Sequence, residues 1–214
     1  MSGTPLAPHF ARSDAPHLAQ SLRAGLWMVL CAVLAAGCGG GEGPAVLRVT
    51  VAQDGLLPEI ATGVAAGDER VLTVAHALDG RRTVAVDGRP ARLVGIDRAL
   101  DLALLAVPGL RAPALRFGGD GEQAGLVVLR DGRPRSLAGG IRRHVLVRWS
   151  EQPGDPPTDR PGLELAATVD PGDSGAPVLD PHGRLLGVLY ARADDDDRTA
   201  WAVDASAVRR ILGR

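Results

Sequence analysis

Short apolar segments, separated by turn-forming residues, follow one another along most of the chain. They are VLRVTVA (46–52), RVLTV (70–74), RTVAV (82–86), ARLVGI (91–96), LALLAV (102–107), GLVVLR (125–130), HVLVRW (144–149), LELAAT (163–168), APVL (176–179), RLLGVLY (184–190) and TAWAV (199–203). Several alternate in polarity or are rich in Val, and Asp-Gly pairs and prolines fill the intervals. Many short strands joined by turns predict an all-β barrel or sandwich.

Two stretches depart from this pattern. Residues 205–212, ASAVRRIL, place apolar side chains on one face, and Asp204 before them is a good N-cap. We therefore predict one C-terminal α-helix. Residues 151–162, EQPGDPPTDRPG, are rich in Pro and are predicted to form a surface loop between strands.

The N-terminal region is typical of an export signal. Basic residues precede the apolar run 24–37, AGLWMVLCAVLAAG, which is too short for a comfortable membrane span. The small residues LAAG before Cys38 and the glycines after it resemble the lipobox of bacterial lipoproteins. We predict a lipoprotein signal peptide over 1–37, a lipidated Cys38, a Gly-rich tether over 38–45 and a folded domain over 46–214. A plain secretory signal and a retained membrane anchor are the alternatives.

Charge and cysteine content exclude some classes of function and stabilisation. The 24 basic and 25 acidic residues nearly cancel, so no nucleic-acid track is indicated. Cys31 lies inside the signal and Cys38 is the predicted lipid site, so no disulfide is expected in the domain. No metal-ligand spacing occurs, and no cofactor is expected. The run DDDD (194–197) is predicted to be a solvated loop, with a weak calcium site or attraction of basic substrate residues as alternatives.

The stretch VDPGDSGAPVLD (169–180) places Ser174 between two glycines ahead of a short apolar run. Such a stretch is either an ordinary turn before a strand or the setting of a nucleophilic serine. A serine hydrolase also needs an imidazole base, a carboxylate that orients it and N–H donors for the oxyanion. Gly172 lets the chain turn sharply, which leaves its N–H and that of Ser174 free to converge as an oxyanion hole.

The rest of the chain supplies candidates for the base and the carboxylate. His76 ends the strand-like segment RVLTV, whereas His144 lies within a strand and His182 lies in a turn. Asp101 directly precedes the apolar segment LALLAV, where a carboxylate is costly unless it is paired. Asp97 is the competing carboxylate, although its place favours capping a turn.

These residues together carry a family resemblance. TVAHAL around His76, DLALL at Asp101 and the run AATVDPGDSGAPVLDPHGRLLGVLY (166–190) resemble the trypsin-like, or chymotrypsin-fold, serine proteases. Within them the likeness is to the Deg/HtrA-type proteases and the related acid-resistance membrane proteases. The resemblance implies two six-stranded antiparallel β-barrels, with His76 and Asp101 from the first, Ser174 from the second and the active site between them.

The resemblance also implies a substrate pocket. It puts Thr168 near the floor of the primary pocket, and it places Tyr190, Ala191 and Arg192 along the substrate-binding strand. The acidic floor that trypsin uses for Arg and Lys is missing. A small or medium apolar side chain at P1, the substrate residue before the cleaved bond, is therefore expected.

Two departures from the family pattern matter. Extracellular trypsin relatives pair the aspartate at the position of Asp173 with a cleaved N-terminus, a route that a lipid-bearing Cys38 would close. Deg/HtrA-type enzymes generally carry Asn at this position, so Asp173 needs another partner, for which we predict Arg142 or Arg143. The chain ends two residues after its predicted helix, so capture of substrates by a PDZ domain is not expected.

The sequence thus predicts a lipid-anchored, envelope-facing serine endopeptidase that uses Ser174, His76 and Asp101. An inactive protease-fold lipoprotein that binds peptides or envelope partners is the alternative. An esterase of the α/β-hydrolase type is disfavoured, because strands and helices do not alternate and His comes first in the chain order.

Overall fold

The structure of the chain is a computed structural model that describes residues 43–52, 57–80, 83–119, 123–150 and 157–213. The predicted signal peptide, the predicted lipid site Cys38 and most of the predicted tether lie outside the described residues. Within the described residues, no helix is long and apolar enough to cross a membrane.

Twelve strands, one α-helix and one short 3₁₀ helix make up the regular structure of the described chain. The strands are β1 (Val46–Ala52), β2 (Glu59–Ala65), β3 (Arg70–Val74), β4 (Thr83–Val86), β5 (Arg89–Asp97), β6 (Leu102–Ala106), β7 (Gln123–Arg130), β8 (Arg133–Trp149), β9 (Thr158–Ala166), β10 (Pro177–Leu179), β11 (Leu185–Arg192) and β12 (Thr199–Asp204). Helix α1 (Ala205–Leu212) follows β12 directly, and the Asp204 side chain accepts a hydrogen bond from Ser206 N–H, as predicted for an N-cap.

The strands form two antiparallel barrels of six strands each. The first barrel has the order β1-β2-β3-β6-β5-β4 and closes where β4 pairs with β1. The second has the order β10-β11-β12-β9-β8-β7 and closes where β7 pairs with β10. The predicted all-β class, the two six-stranded barrels and the C-terminal helix are therefore confirmed.

A shared apolar cluster packs the two barrels and the helix together. The first barrel contributes Val64, Leu72, Leu100 and Leu102, the second contributes Leu179, Leu185, Val188 and Val203, and α1 contributes Ala207, Val208 and Ile211. Each barrel also has an apolar interior of its own. Helix α1 is thus held by its apolar face, and it helps to fix one barrel against the other.

The structure corrects the predicted strands in three places. Strand β2 was not predicted, because its small buried residues, such as Ala61 and Ala65, give a weak apolar signal. Strand β8 begins at Arg133, well before the predicted segment at 144, because its first half is largely exposed and rich in Arg and Gly. The predicted loop 151–162 is wrong from residue 158 onward, where β9 begins.

Proline is tolerated in the first half of β9 because that half lies at an edge of the sheet. Residues 158–161 pair with β8 alone, and pairing with β12 starts at Gly162. Pro161 therefore lies where β9 pairs on one side only, so its missing N–H removes no hydrogen bond to a second strand.

Candidate active site

His76 lies at the mouth of the first barrel, just after β3. It begins a short 3₁₀ helix, His76–Leu78, and its side chain is 44% exposed. The carboxylate of Asp101 holds it at two points, since Asp101 Oδ2 lies 2.7 Å from the ring Nδ1 and Oδ1 accepts the backbone N–H of His76 at 2.8 Å. The ring is thereby oriented with Nδ1 toward the carboxylate and Nε2 away from it.

Asp101 reaches His76 from a strained turn ahead of β6. Its φ is +56°, in the left-handed region that only a few non-glycine residues adopt, and the residue is 9% exposed. Its carbonyl accepts the N–H of Ala75, which ties the turn to the end of β3. Asp97, the competing candidate, instead accepts the N–H of Leu100 and caps this turn.

The environment raises the pKa of His76 above its ordinary value of 6.5. The largest cause is the hydrogen bond to Asp101, which favours the protonated ring, and partial burial of the ring opposes it. The negative charges of Asp101, Glu59 and Asp79 add to the increase. The imidazole is therefore set up to accept a proton.

Ser174 lies in the tight turn between β9 and β10, and Thr62 of β2 holds this turn. The N–H of Thr62 donates to the carbonyl of Ser174 at 2.8 Å, and its hydroxyl donates to the carbonyl of Gly172 at 2.8 Å. Thr62 is itself held by Thr73 Oγ1, which donates to the Thr62 carbonyl at 2.8 Å. Glycine is required at 175, where φ is +92° and a Cβ would lie 1.8 Å from the Thr62 carbonyl oxygen.

The N–H groups of this turn differ in what they bind. Those of Asp173, Gly175 and Ala176 each donate to a backbone carbonyl. Among the described residues, no hydrogen bond uses the N–H of Gly172 or of Ser174. The two predicted oxyanion donors are thus free to bind an oxygen.

The partner of Asp173 is neither Arg142 nor Arg143, so that prediction is wrong. Asp173 is 1% exposed, and its carboxylate accepts hydrogen bonds from both Nη atoms of Arg130, the last residue of β7. Arg143 binds Glu164 instead, and Arg142 binds Thr199. No local sequence pattern near Asp173 indicates that its partner lies 43 residues earlier in the chain.

Two cavities flank β11. The larger, of about 780 Å³, is lined by His76 and Asp101 together with Ala75, Asp79, Arg98, Arg160 and Tyr190. The smaller, of about 100 Å³, is lined by Ser174 together with Val169, Asp170, Pro171, Leu189, Ala191 and Arg192. In the described part of the chain, no hydrogen bond joins the Ser174 hydroxyl to the His76 ring.

The predicted substrate-binding residues are divided between these cavities. Ala191 and Arg192 line the cavity beside Ser174, whereas Tyr190 lines the one beside His76. Thr168 is exposed, and its neighbour Val169 lines the smaller cavity. The strand β11 therefore faces both halves of the cleft.

The other two histidines of the described residues, His144 and His182, and the acidic run lie away from this arrangement. His144 lies 3.5 Å from Asp204, and His182 lies in the turn between β10 and β11. The four residues of DDDD (194–197) are exposed, and Asp196 accepts hydrogen bonds from Thr199 and Arg198. Within the described ranges, no group of three His, Cys, Asp or Glu side chains could hold a metal ion.

The family described as "Trypsin-like peptidase domain" matches residues 61–188, which include His76, Asp101 and Ser174. The chain belongs to the trypsin-like peptidase family. The crystal structure titled "Rv3671c protease from M. tuberculosis, active form" has a similar fold. Its TM-score is 0.69 at 32% identity, over 79% of this chain and 80% of that one.

Curated relatives of this trypsin-like peptidase are named as serine proteases. Serine protease Rv3671c of Mycobacterium tuberculosis is 34% identical over 163 residues, which are 72% of this chain and 41% of the relative. The putative serine protease HhoB of Synechocystis is 28% identical over 157 residues, 69% of this chain and 38% of the relative. The chain therefore spans about two fifths of the length of these relatives. An HtrA-type protease, AlgW, shares the fold at a TM-score of 0.66 and 22% identity, over 81% of this chain and 60% of that one.

Proposed function

We propose that the domain is a serine endopeptidase in which Ser174 attacks the peptide carbonyl. The observation that carries this proposal is the two-point contact between His76 and Asp101, on a chain whose family and named relatives are serine peptidases. Since Nδ1 of His76 faces Asp101, Nε2 is the nitrogen that takes the proton of the Ser174 hydroxyl.

The reaction divides into two halves. As the bond from Ser174 Oγ to the carbonyl carbon forms, the proton passes to His76 Nε2 and the N–H groups of Gly172 and Ser174 bind the oxyanion. His76 then gives this proton to the leaving amine as the C–N bond breaks. In the second half, His76 takes a proton from water as the water oxygen bonds to the acyl carbon, and it returns this proton to Ser174 Oγ as the bond from Oγ to that carbon breaks. A contact between serine and histidine commonly tightens only when substrate binds.

The small cavity beside Ser174 supports a small or medium apolar P1 side chain. Its walls include Val169, Leu189 and Ala191, and its volume of about 100 Å³ leaves little room for a long or aromatic side chain. The carboxylate of Asp170 at its edge is paired with Arg130 at 2.9 Å, so it does not favour a basic P1 residue.

A fluorophosphonate probe tests the nucleophile. We expect the full chain to be labelled and Ser174→Ala to lose labelling completely. The far-UV spectrum should be unchanged, because the substitution removes only the hydroxyl oxygen and leaves the packing of the turn in place. Ser150→Ala, at an exposed serine, is the matched control and should be labelled like the wild type. Labelling that survives in Ser174→Ala would overturn the assignment, and a wild type that is neither labelled nor active on peptides would favour the peptide-binding alternative.

We further propose that the chain is exported and anchored in the cell envelope by a lipid on Cys38. The support is the sequence LAAGC followed by glycines, and the name "probable periplasmic serine endoprotease DegP-like" of a Brucella suis relative 26% identical over 156 residues. An alkyne-tagged fatty acid fed to the expressing bacterium should label the wild type. It should not label Cys38→Ala, whereas Cys31→Ala should still be labelled; equal labelling of wild type and Cys38→Ala would end this proposal.

A further inference from the structure

A buried arginine of the second barrel binds the turn of the first barrel that carries Asp101. Arg160, in β9, is 4% exposed. Its Nε donates to the carbonyl of Ala99 at 2.7 Å, and its Nη2 donates to the carbonyl of Arg98 at 3.4 Å. A guanidinium at this depth is costly unless its N–H groups are bonded, so the two carbonyls help to stabilise the buried cation.

The turn that Arg160 binds joins β5 to β6 and ends in a strained residue. Asp101 has a φ of +56°, a conformation that a non-glycine residue keeps only where its surroundings enforce it. The N–H of Asp101 donates to the carbonyl of Arg98 at 3.1 Å, which closes the turn. Arg160 binds this same carbonyl, so it stabilises the strained conformation from the opposite barrel.

Arg160 is itself held by its strand and by an aromatic ring. It pairs in register with Val147 of β8, in the part of β9 that pairs on one side only. Its guanidinium carbon lies 4.9 Å from the centre of the Tyr190 ring, a distance typical of cation–π contacts. Arg160, Tyr190 and Asp101 line the same cavity as His76. The guanidinium therefore contacts both the aromatic ring of β11 and the turn.

We propose that Arg160 is a positioning residue that holds the turn 98–101, and through it the carboxylate of Asp101, in the place from which the carboxylate orients His76. The proposal rests on the proposed peptidase function of this site. The placement of Asp101 then depends on both barrels, because the first contributes the N–H of Ala75 and the second contributes the guanidinium of Arg160.

The test uses the full chain and measures the rate constant of fluorophosphonate labelling, with kcat and KM on a cleaved peptide. Arg160→Met keeps the apolar stem and removes the donors, so it should slow labelling roughly tenfold to a hundredfold, because a displaced Asp101 no longer aligns the imidazole. The value of kcat should fall by a similar factor, and KM should change by less than about twofold. Arg148→Met, on the neighbouring strand β8, replaces a side chain that is 76% exposed and should label at the wild-type rate. Folding of each variant is checked by its melting temperature, and rates are normalised to folded protein.

The pH dependence of labelling identifies the cause of the slower rate. In the described part of the chain, the charged side chains that act on the His76 ring or share its cavity are those of Asp101, Glu59, Asp79, Arg98 and Arg160. Loss of the positive charge of Arg160 alone would favour the protonated ring and raise the midpoint of the labelling rate. Displacement of Asp101 weakens the hydrogen bond that is the largest cause of the raised pKa of His76, so the midpoint in Arg160→Met should fall.

Two further variants separate positioning from general stability. Arg160→Lys keeps the charge but loses the planar group that binds two carbonyls, so it should fold and label at a rate between those of the wild type and Arg160→Met. In a chain that already carries Asp101→Asn, Arg160→Met should slow labelling by less than about twofold, because both substitutions remove the same interaction.

The outcomes distinguish this proposal from the function it rests on. An unlabelled wild type would contradict the peptidase function itself. With a labelled wild type, folded Arg160→Met at the wild-type rate, or with an unchanged or raised midpoint, would overturn the role of Arg160. So would full additivity with Asp101→Asn, or a rise in KM at unchanged kcat, which would indicate a contact with substrate. If Arg160→Met does not fold, the rate and midpoint of Arg160→Lys decide in the same way.

Discussion

His76 and Asp101 are joined by two hydrogen bonds, one from the ring and one from the backbone N–H. The backbone contact fixes the carboxylate relative to the chain, and the ring contact then fixes the imidazole relative to the carboxylate. The orientation of the base therefore does not depend on the ring contact alone.

The pH dependence of the site follows from this pair. The protonated imidazole cannot act as a base, and Asp101 raises the pKa of His76, so the labelling rate should rise with pH through a midpoint above 6.5. Asp101→Asn should lower the rate by roughly 10³- to 10⁴-fold and shift the midpoint downward. Asn tolerates the left-handed backbone at this position, so the turn should persist.

Asp97→Asn is the control for this experiment, because Asp97 caps the same turn by accepting the N–H of Leu100. A midpoint that stays in place in Asp101→Asn would contradict the role given to Asp101. The raised pKa also stabilises the fold below the unfolded-state pKa of about 6.5, and this contribution is lost as pH rises through the folded-state pKa.

The residues of the site could be selected from the sequence to different extents. His76, Asp101 and Ser174 were selected because each lies at the end of an apolar segment in a setting that its chemistry requires. Thr62 and Arg130 could not be selected in this way, because no local pattern marks them. Thr62 contacts the Ser174 turn from the other barrel, and Arg130 contacts Asp173 from 43 residues earlier in the chain. The prediction that Arg142 or Arg143 binds Asp173 failed for the same reason.

At the scale of elements, alternation of apolar residues located strands well where one face is buried. Segments 46–52 and 70–74 match β1 and β3 residue for residue, and the helix matches at both ends. The pattern failed where burial is uneven along a strand, as in the exposed first half of β8. It also failed in β9, where Pro is compatible with an edge position that only the sheet order reveals.

The turn that carries Ser174 gives a test at this scale. In Gly175→Ala the new Cβ would meet the Thr62 carbonyl oxygen at 1.8 Å, so the turn or β2 must shift. We expect a loss of about 3 kcal/mol or more in the free energy of unfolding, measured by urea denaturation, and a loss of labelling.

Gly88→Ala is the matched control for this substitution. Gly88 also has a positive φ, of +75°, but no atom lies within 4 Å of its Cβ position. Its cost should be about 1 kcal/mol from backbone strain alone. Equal losses in the two variants would show that strain, and not the close contact with Thr62, decides the requirement for glycine.

At the scale of the whole molecule, the cluster shared by the two barrels should make them unfold together. Ile211 of α1 is 4% exposed and packs in this cluster, so Ile211→Ala should cost about 2–4 kcal/mol. Arg210→Ala on the exposed face of α1 should change stability by less than about 0.5 kcal/mol.

The measurement follows denaturation by far-UV circular dichroism and by Trp fluorescence, with Trp201 in the second barrel. The two curves should coincide and shift together in Ile211→Ala. Separate transitions would mean that the barrels are independent folding units and that the shared cluster contributes little.

The contacts of Thr62 couple the two barrels at the proposed active site. Thr62 belongs to the barrel that carries His76, yet it binds the carbonyls on either side of Asp173 in the turn of the other barrel. Thr62 lies in β2, which pairs with β3, the strand that leads to His76. The turn that carries the proposed nucleophile is thus coupled to the sheet that carries the proposed base.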